Sequence, residues 1–332
     1  MKSVLIIRRD NIGDMICTTP LFFGLRSAFP FLELTVLTNS YAGSILKFVP
    51  EVDRIISYDK YKHRNVSLIA IFAQKIFLLS SILLRKFDYV IYTEQRSWFL
   101  ALITRGRRIL TYDFNNRGDL SWLLRSRVHF IKTKPLSGYS ESERVWEFAK
   151  FIGLTQDKMP EPRLTFQRAQ SNFSSTRRSI GIHIGARKSS QRWAPSNFAM
   201  LINKLGEIRD SRIQIFYTPG DFSNPEHPGD EGRLSTLKTL THSEVSIRAT
   251  TDIEALVNQI AMCDYFVCAD GGAMHIASAL NIPLVALFGR SDANRWRPGR
   301  SQYVLLQHPS LEVRDISVDT VYFAVLWLMK SV

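Results

Sequence analysis

The sequence predicts an α/β protein made of two successive domains, each a parallel sheet covered by helices. Three observations carry that reading. Short apolar runs of strand length alternate with longer segments of helical period, the pattern of βα units. A polar, proline-bearing stretch from Met159 to Arg178 interrupts the alternation, and the same pattern then starts over. The 332 residues suffice for two cores at about 150 residues each.

In the first half, Ser3 to Arg8 reads as a strand, Arg9 to Met15 as a polar loop, and Thr18 to Ala28 as a helix with Pro20 in its first turn. Leu32 to Leu37, Arg54 to Ser57, Tyr89 to Tyr92 and the short Arg108 to Leu110 read as further strands. Leu68 to Leu84 is almost wholly apolar. With Gln74 and Lys75 at its middle, and fewer than the roughly 20 residues a spanning helix requires, it reads as a buried helix. Val145, Trp146, Ala149 and Ile152 share one face of a helix over Glu141 to Ile152, which Gly153 ends. The domain boundary is expected near residue 170.

In the second half, the strands are Ser179 to Ile184, Arg212 to Tyr217, Tyr265 to Ala269 and Pro283 to Phe288. Helices are expected over Pro195 to Ile208, Asp252 to Met262, Ala273 to Leu280 and Val318 to Met329, the last capped by Ser317 or Asp319. Thr218 to Gly232 reads as a turn-rich loop.

Composition narrows the function. Hydrophobic residues at 45% and charged residues at 22% describe an ordinary folded chain. Cys17, Cys263 and Cys268 are an odd number with no Cys-x-x-Cys spacing, so neither a disulfide framework nor a cysteine zinc site is supported, and a reducing compartment fits best. The apolar run Val4 to Ile7 is too short for a signal-peptide core. Lys and Arg exceed Asp and Glu by 43 to 30, a formal charge of +13, which favours polyanionic partners: nucleotide phosphates, an anionic membrane face or nucleic acid. A merely solubilising surface charge explains the balance equally well. Nucleic acid is disfavoured, because the basic residues are dispersed and no zinc-finger or RNP-type pattern occurs.

Several motifs are missing: the P-loop, Gly-x-Gly-x-x-Gly after the first strand, Gly-x-Ser-x-Gly, His-Glu-x-x-His and any Asp-x-Asp. Three clusters remain. Tyr265 to Gly289 reads YFVCADGGAMHIASALNIPLVALFG, a strand running into Asp270, two glycines and a helix whose first turn carries His275. The amides of Gly271, Gly272 and Ala273 at that helix start form an anion site to which His275 can add a donor; alternatively, the glycines merely make a tight turn capped by Asp270. The second cluster, His183, Gly185, Ala186, Arg187, Lys188 and Gln191-Arg192-Trp193, is a basic loop at the carboxyl end of a strand, either a phosphate site or a solvated surface. The third is Arg9-Asp10-Asn11-Ile12-Gly13-Asp14, in which Asp14 is a catalytic carboxylate or an ordinary residue near a helix start.

Together the clusters resemble glycosyltransferase family 9, the ADP-heptose:lipopolysaccharide heptosyltransferases. The matching stretches are VLIIRRDNIGDMICTTPLFFGLRSAFP at 4 to 30, PEVDRIISYD at 50 to 59, IGIHIGARKSSQRWAPSNFAMLI at 180 to 202 and DGGAMHIASALNIPLVALFGRSDANRW at 270 to 296. The resemblance implies a GT-B architecture of two Rossmann-like domains facing a central cleft. Residues 1–170 would bind the acceptor and 171–316 the nucleotide-sugar donor, with 317–332 as a C-terminal helix packing back toward the first domain.

The resemblance further implies an inverting, metal-independent transferase with no cofactor, moving a heptose from ADP-heptose onto a lipopolysaccharide core or related glycan. It would act on a glycolipid at the cytoplasmic face of the bacterial inner membrane, whose anionic surface would be a partner. Asp14 falls on the family's catalytic base. Asp270, Gly272, Ala273 and His275 fall in its donor-binding turn, and Asp221 is the nearest candidate for the ribose-binding acid. One position departs from the family: Gln191 stands where a diphosphate-contacting Lys is common, leaving Arg192 or Lys188 to supply the charge. A GT-B sugar-nucleotide epimerase and a non-catalytic sugar-nucleotide-binding relative are the competing readings.

Overall fold

The computed structural model describes residues 3–60, 67–93, 103–113, 127–132, 136, 138–154, 158–166, 177–221 and 229–331. The chain divides into two compact units, Met1–Pro162 and Arg163–Val332.

Unit 1 holds strands β1 (Ser3–Ile7), β2 (Glu33–Asn39), β3 (Arg54–Tyr58), β4 (Lys86–Tyr92), β5 (Arg105–Asp113) and β6 (Val128–Lys132), with helices α1 (Ile12–Ala28), α2 (Leu68–Leu83) and α3 (Glu141–Ile152). Among the described residues these strands form one parallel sheet in the order β3-β2-β1-β4-β5-β6. β1 sits between β2 and β4, with Ile7 opposite both Leu37 and Tyr92, and its residues Val4 to Ile7 are completely buried. A strand covered on both faces has no polar side, which is why this run is continuously apolar. β6 was not foreseen.

Helix α1 begins at Ile12, six residues before the expected start, so Asp14 lies inside its first turn and Pro20 lies in its interior. An interior proline leaves the carbonyl four residues earlier without its helical donor. Here that carbonyl belongs to Ile16, and the Thr19 hydroxyl donates to it at 2.8 Å. Helix α2 corrects a second expectation. Ile82 is buried and Leu78 packs on the sheet core, but much of the helix's apolar surface is exposed.

Unit 2 continues with β7 (Arg178–His183), α4 (Pro195–Gly206), β8 (Ser211–Tyr217), α5 (Glu231–Leu240), β9 (Val245–Ala249), α6 (Ile253–Ile260), β10 (Tyr265–Ala269), α7 (Gly272–Ala279), β11 (Leu284–Phe288), β12 (Tyr303–Gln307) and α8 (Val318–Ser331). Its parallel order is β12-β11-β10-β7-β8-β9. β9, β12 and α5 were not foreseen. Val321, Ala324, Val325, Leu328 and Met329 of α8 join the unit 2 core beside Leu201 and Leu205 of α4, and Lys204 of α4 pairs with Asp319 of α8.

Both sheets have the doubly wound strand order, so in each the direction of winding reverses between the first and fourth strands: β1 and β4 in unit 1, β7 and β10 in unit 2. The crevice outside the carboxyl ends of those strands is where such sheets bind ligands.

Candidate functional site

At the carboxyl end of β1 the chain runs through Arg8 to Asp14. The loop is pinned from β2: the Asn39 side-chain amide donates to the Arg9 and Asp10 carbonyls at 2.8 and 2.9 Å. Asp14, the third residue of α1, accepts from the Asn11 backbone N–H through Oδ2 at 3.2 Å, satisfying a donor the helix start leaves orphaned. Its Oδ1 accepts from Arg8 Nη2 at 2.6 Å.

Arg8 is only 1% exposed. Nη2 also donates to Glu141 Oε1 at 2.8 Å, Nη1 to the Thr93 carbonyl at 3.1 Å, and Nε lies 3.8 Å from Asp10. Burial works against the guanidinium charge, yet the fields of Asp14, Glu141 and Asp10 outweigh it and raise the Arg8 pKa above its ordinary value. Arg8 thus faces three carboxylates, one of which, Glu141, also meets a second cation, Arg144, at 3.7 Å. Cys17, further along α1, is no nucleophile here: burial, with Glu141 adding to it, pushes its thiol up to about 12.

In unit 2 two loops meet at the switch point. Asp270 follows β10 and Gly271 precedes α7 in an extended conformation, so the first amides of α7 are those of Gly272 and Ala273. His275, in the first turn, is buried, and its ring stands edge-on to Trp296 with centroids 6.2 Å apart. From the loop after β7, Gln191 is 6% exposed and donates to Asp270 Oδ2 at 2.7 Å and to Ser291 Oγ at 3.3 Å. A Cβ on Gly289 would come within 2.3 Å of the Ser190 carbonyl, so only glycine lets these loops approach so closely. Trp193, fully buried, anchors the same loop by donating to the Ile316 carbonyl at 2.9 Å.

The basic loop itself is organised unevenly. Arg192 donates to the carbonyls of Ala186 and Arg187, both at 3.0 Å, which ties its guanidinium to its own loop, while Lys188 is exposed. Gly185 leaves room for a neighbour, because a Cβ there would meet the Asp230 carboxylate at 2.5 Å. Asp230 is buried and accepts from the Thr218 N–H at 3.0 Å, whereas Asp221 is exposed on the same connection. Burial depresses the pKa of His183, beside Asp230, despite the attraction of that carboxylate.

The structure thus brings Gln191 and Asp270 together in unit 2, with Gly271, Gly272, Ala273 and His275 directly following Asp270, and sets Asp14 in the acidic cluster of unit 1. Sequence reasoning missed Arg8, Glu141 and Asp230. Glu141 lies 133 residues from Arg8, so only the fold reveals that pair. Asp230 carried a signal: it is the second aspartate of the loop in which Asp221 was named. Among the described residues no group of three or more His, Cys, Asp or Glu is placed to hold a metal ion.

Comparison with known proteins bears on this arrangement. Lipopolysaccharide heptosyltransferase 3 of Escherichia coli is 24% identical over 306 residues, covering 86% of this chain and 83% of that protein. Lipopolysaccharide heptosyltransferase 2 of E. coli K12 is 25% identical over 302 residues, covering 87% and 83%. Among solved structures, a family 9 glycosyltransferase of Veillonella parvula superposes with a TM-score of 0.79 at 18% identity, over 100% of this chain and 98% of that one. E. coli ADP-heptose lipopolysaccharide heptosyltransferase II gives 0.76 at 21% identity, over 100% and 99%. These likenesses establish the α/β fold as one of GT-B type. The sequence model of glycosyltransferase family 9 (heptosyltransferase) matches residues 78–315, more than half of the chain, and the protein therefore belongs to that family of glycosyltransferases.

Proposed function

We propose that the protein transfers a heptose from ADP-heptose, with inversion at the anomeric carbon, to a lipopolysaccharide core or related surface glycan. The observation that carries this reading is the Asp270 to His275 turn at the switch point of unit 2, in a chain whose family match runs through it. A helix start with bare amides is suited to a diphosphate, since the partial positive charge of the α7 dipole and its unsatisfied N–H groups both favour an anion. Lys188 supplies the mobile cation from the loop after β7. Gln191 does not replace the missing lysine as a charge; it holds Asp270, and through it the turn.

In unit 1, Asp14 takes the proton from the acceptor hydroxyl as that oxygen attacks the anomeric carbon. The bond from that carbon to the diphosphate breaks, and ADP leaves with the electron pair. Arg8 and Asn11 fix the carboxylate's orientation, the condition for a general base to act at hydrogen-bond range. The leaving charge is met by the α7 amides and Lys188, so the reaction needs no metal ion. The acceptor is a glycolipid, and the protein works peripherally at the cytoplasmic face of the inner membrane; Asp230, or the exposed Asp221, contacts the ribose.

The test is incubation with ADP-heptose and a lipopolysaccharide acceptor lacking its heptoses, following ADP release and acceptor mass. A gain of one heptose by the acceptor supports the reading. Release of an epimerised sugar nucleotide with no change in acceptor mass replaces it with the epimerase reading, and the absence of any turnover or binding replaces it with a non-catalytic one.

A further inference from the structure

Helix α2 presents to solvent what its sequence should hide. Ile69 is 81% exposed, Phe72 65% and Phe77 61%, and Ile76, Leu79 and Leu83 are exposed as well. Ile69, Phe72, Ile76, Leu79 and Leu83 are spaced by three and four residues, so they form one continuous stripe along the helix. The opposite side, with Ile82 and Leu78, is the one that packs on the sheet. Single exposed apolar residues need no explanation, but a contiguous stripe of this kind marks an interaction surface.

The surrounding charge identifies its partner. Lys75 is exposed on the helix itself, and the chain leaves α2 through Arg85 into Lys86, the first residue of β4. Lys86 pairs in register with Arg105 of β5. There a hollow of about 430 Å³ is lined by Lys86, Arg105, Arg107 and Arg127, with Asp88 as its one acid. The Asp88 carboxylate already accepts the Ser3 N–H at 3.2 Å, and Lys86, Arg105 and Arg107 are exposed. An apolar stripe that continues into a basic hollow matches a bilayer with anionic headgroups, in which an amphipathic helix lies flat at the acyl boundary while cations meet phosphate. A second copy of the chain would set the same excess of positive charge against itself. No helix among the described residues is long and apolar enough to cross a membrane, so the contact is a lateral one.

We infer that the exposed face of α2 is the surface by which the protein docks on an anionic bilayer, with the Lys86, Arg105 and Arg107 hollow receiving lipid phosphate. The inference rests on the peripheral-membrane part of the proposed function and names the surface responsible.

Sedimentation with vesicles of equimolar phosphatidylglycerol and phosphatidylcholine, beside vesicles of phosphatidylcholine alone, tests it on the full chain. The unaltered protein binds the acidic vesicles more strongly, and less as salt rises. Replacing both Phe72 and Ile76 of the stripe by Ser lowers that binding by roughly tenfold or more. Arg105→Gln and Arg107→Gln each lower it by about fivefold, the effect of one charge near such a surface. Ile69→Ser, at the most exposed position of the stripe, gives the same direction if the double variant fails to fold. Equal binding of the serine variants and the unaltered protein overturns the proposal, as do equal binding to the two vesicle types and a concentration-dependent dimer in place of vesicle binding. Transfer to a water-soluble acceptor glycan without lipid is measured in parallel. Its persistence in variants that no longer bind vesicles supports docking as a separate property, whereas vesicle binding without any sugar transfer leaves docking standing and removes the enzymatic reading.

Discussion

Arg8 Nη2 lies 2.6 Å from Asp14 Oδ1 and 2.8 Å from Glu141 Oε1, so one buried nitrogen holds the proposed base and a carboxylate from α3 together. Asp14 is therefore a structural residue as well as a chemical one, and the two roles separate only under measurements that report each.

Asp14→Asn is expected to lower turnover by about 10²–10⁴-fold, the usual contribution of a general base, with ADP affinity unchanged. It also removes one anion from a buried pair, so a loss of about 1–3 kcal/mol in stability is expected beside the kinetic effect. Glu141→Gln should cost similar stability and far less turnover. Denaturant melts and initial rates on both variants check this; equal turnover losses would make the cluster a purely structural one.

Gln191→Ala leaves Asp270 Oδ2 without its 2.7 Å donor, a hydrogen bond to a charged group worth about 1.5–3 kcal/mol. ADP affinity should fall by roughly tenfold or more as the turn loosens. Gln191→Glu should be worse near neutral pH, because it sets a second carboxylate against Asp270. Calorimetric titration with ADP measures both, and unchanged affinity in the two variants would deny Gln191 its positioning role.

The depressed pKa of His183 makes a signed prediction. A histidine with a folded pKa below its unfolded value of 6.5 contributes stability that is fully present above pH 6.5 and is lost as pH falls through the lower folded value. Acidification from neutrality should therefore destabilise the protein, and His183→Asn should flatten that slope. Urea midpoints against pH would show it; parallel slopes in the two proteins would contradict it.

Chelation with EDTA is expected to leave the transfer rate nearly unchanged, since in the proposed route the α7 amides and Lys188 meet the charge of the leaving diphosphate. A large loss restored by magnesium would contradict the proposed route for stabilising the diphosphate.

The buried parallel strands β1, β10 and β11 were legible because they are nearly continuous apolar runs flanked by turn residues. β6 and β9 escaped notice because Val128–Lys132 and Val245–Ala249 mix polar with apolar residues. The start of α1 was misplaced because Asn11 and Asp14 read as loop formers, although at the helix start they are its caps. Helix α2 was read as buried because apolar content tells how much surface avoids water, not what covers it. Asp14 and the Asp270 turn were legible because their neighbours in sequence are their neighbours in space. The Arg8–Glu141 and Gln191–Asp270 pairs join distant segments, and no local pattern encodes them.

The Thr19 hydroxyl that donates to the Ile16 carbonyl stands in for the N–H that Pro20 lacks. The two positions are thus energetically coupled. Thr19→Val alone should cost about 1–3 kcal/mol by orphaning a buried carbonyl, yet cost much less once Pro20→Ala has restored the backbone donor. Homologues that lose the proline are free to vary at the threonine, whereas a chain that keeps the proline is held to a hydroxyl beside it. The helix that carries Asp14 would then drift in sequence by pairs of residues rather than one at a time.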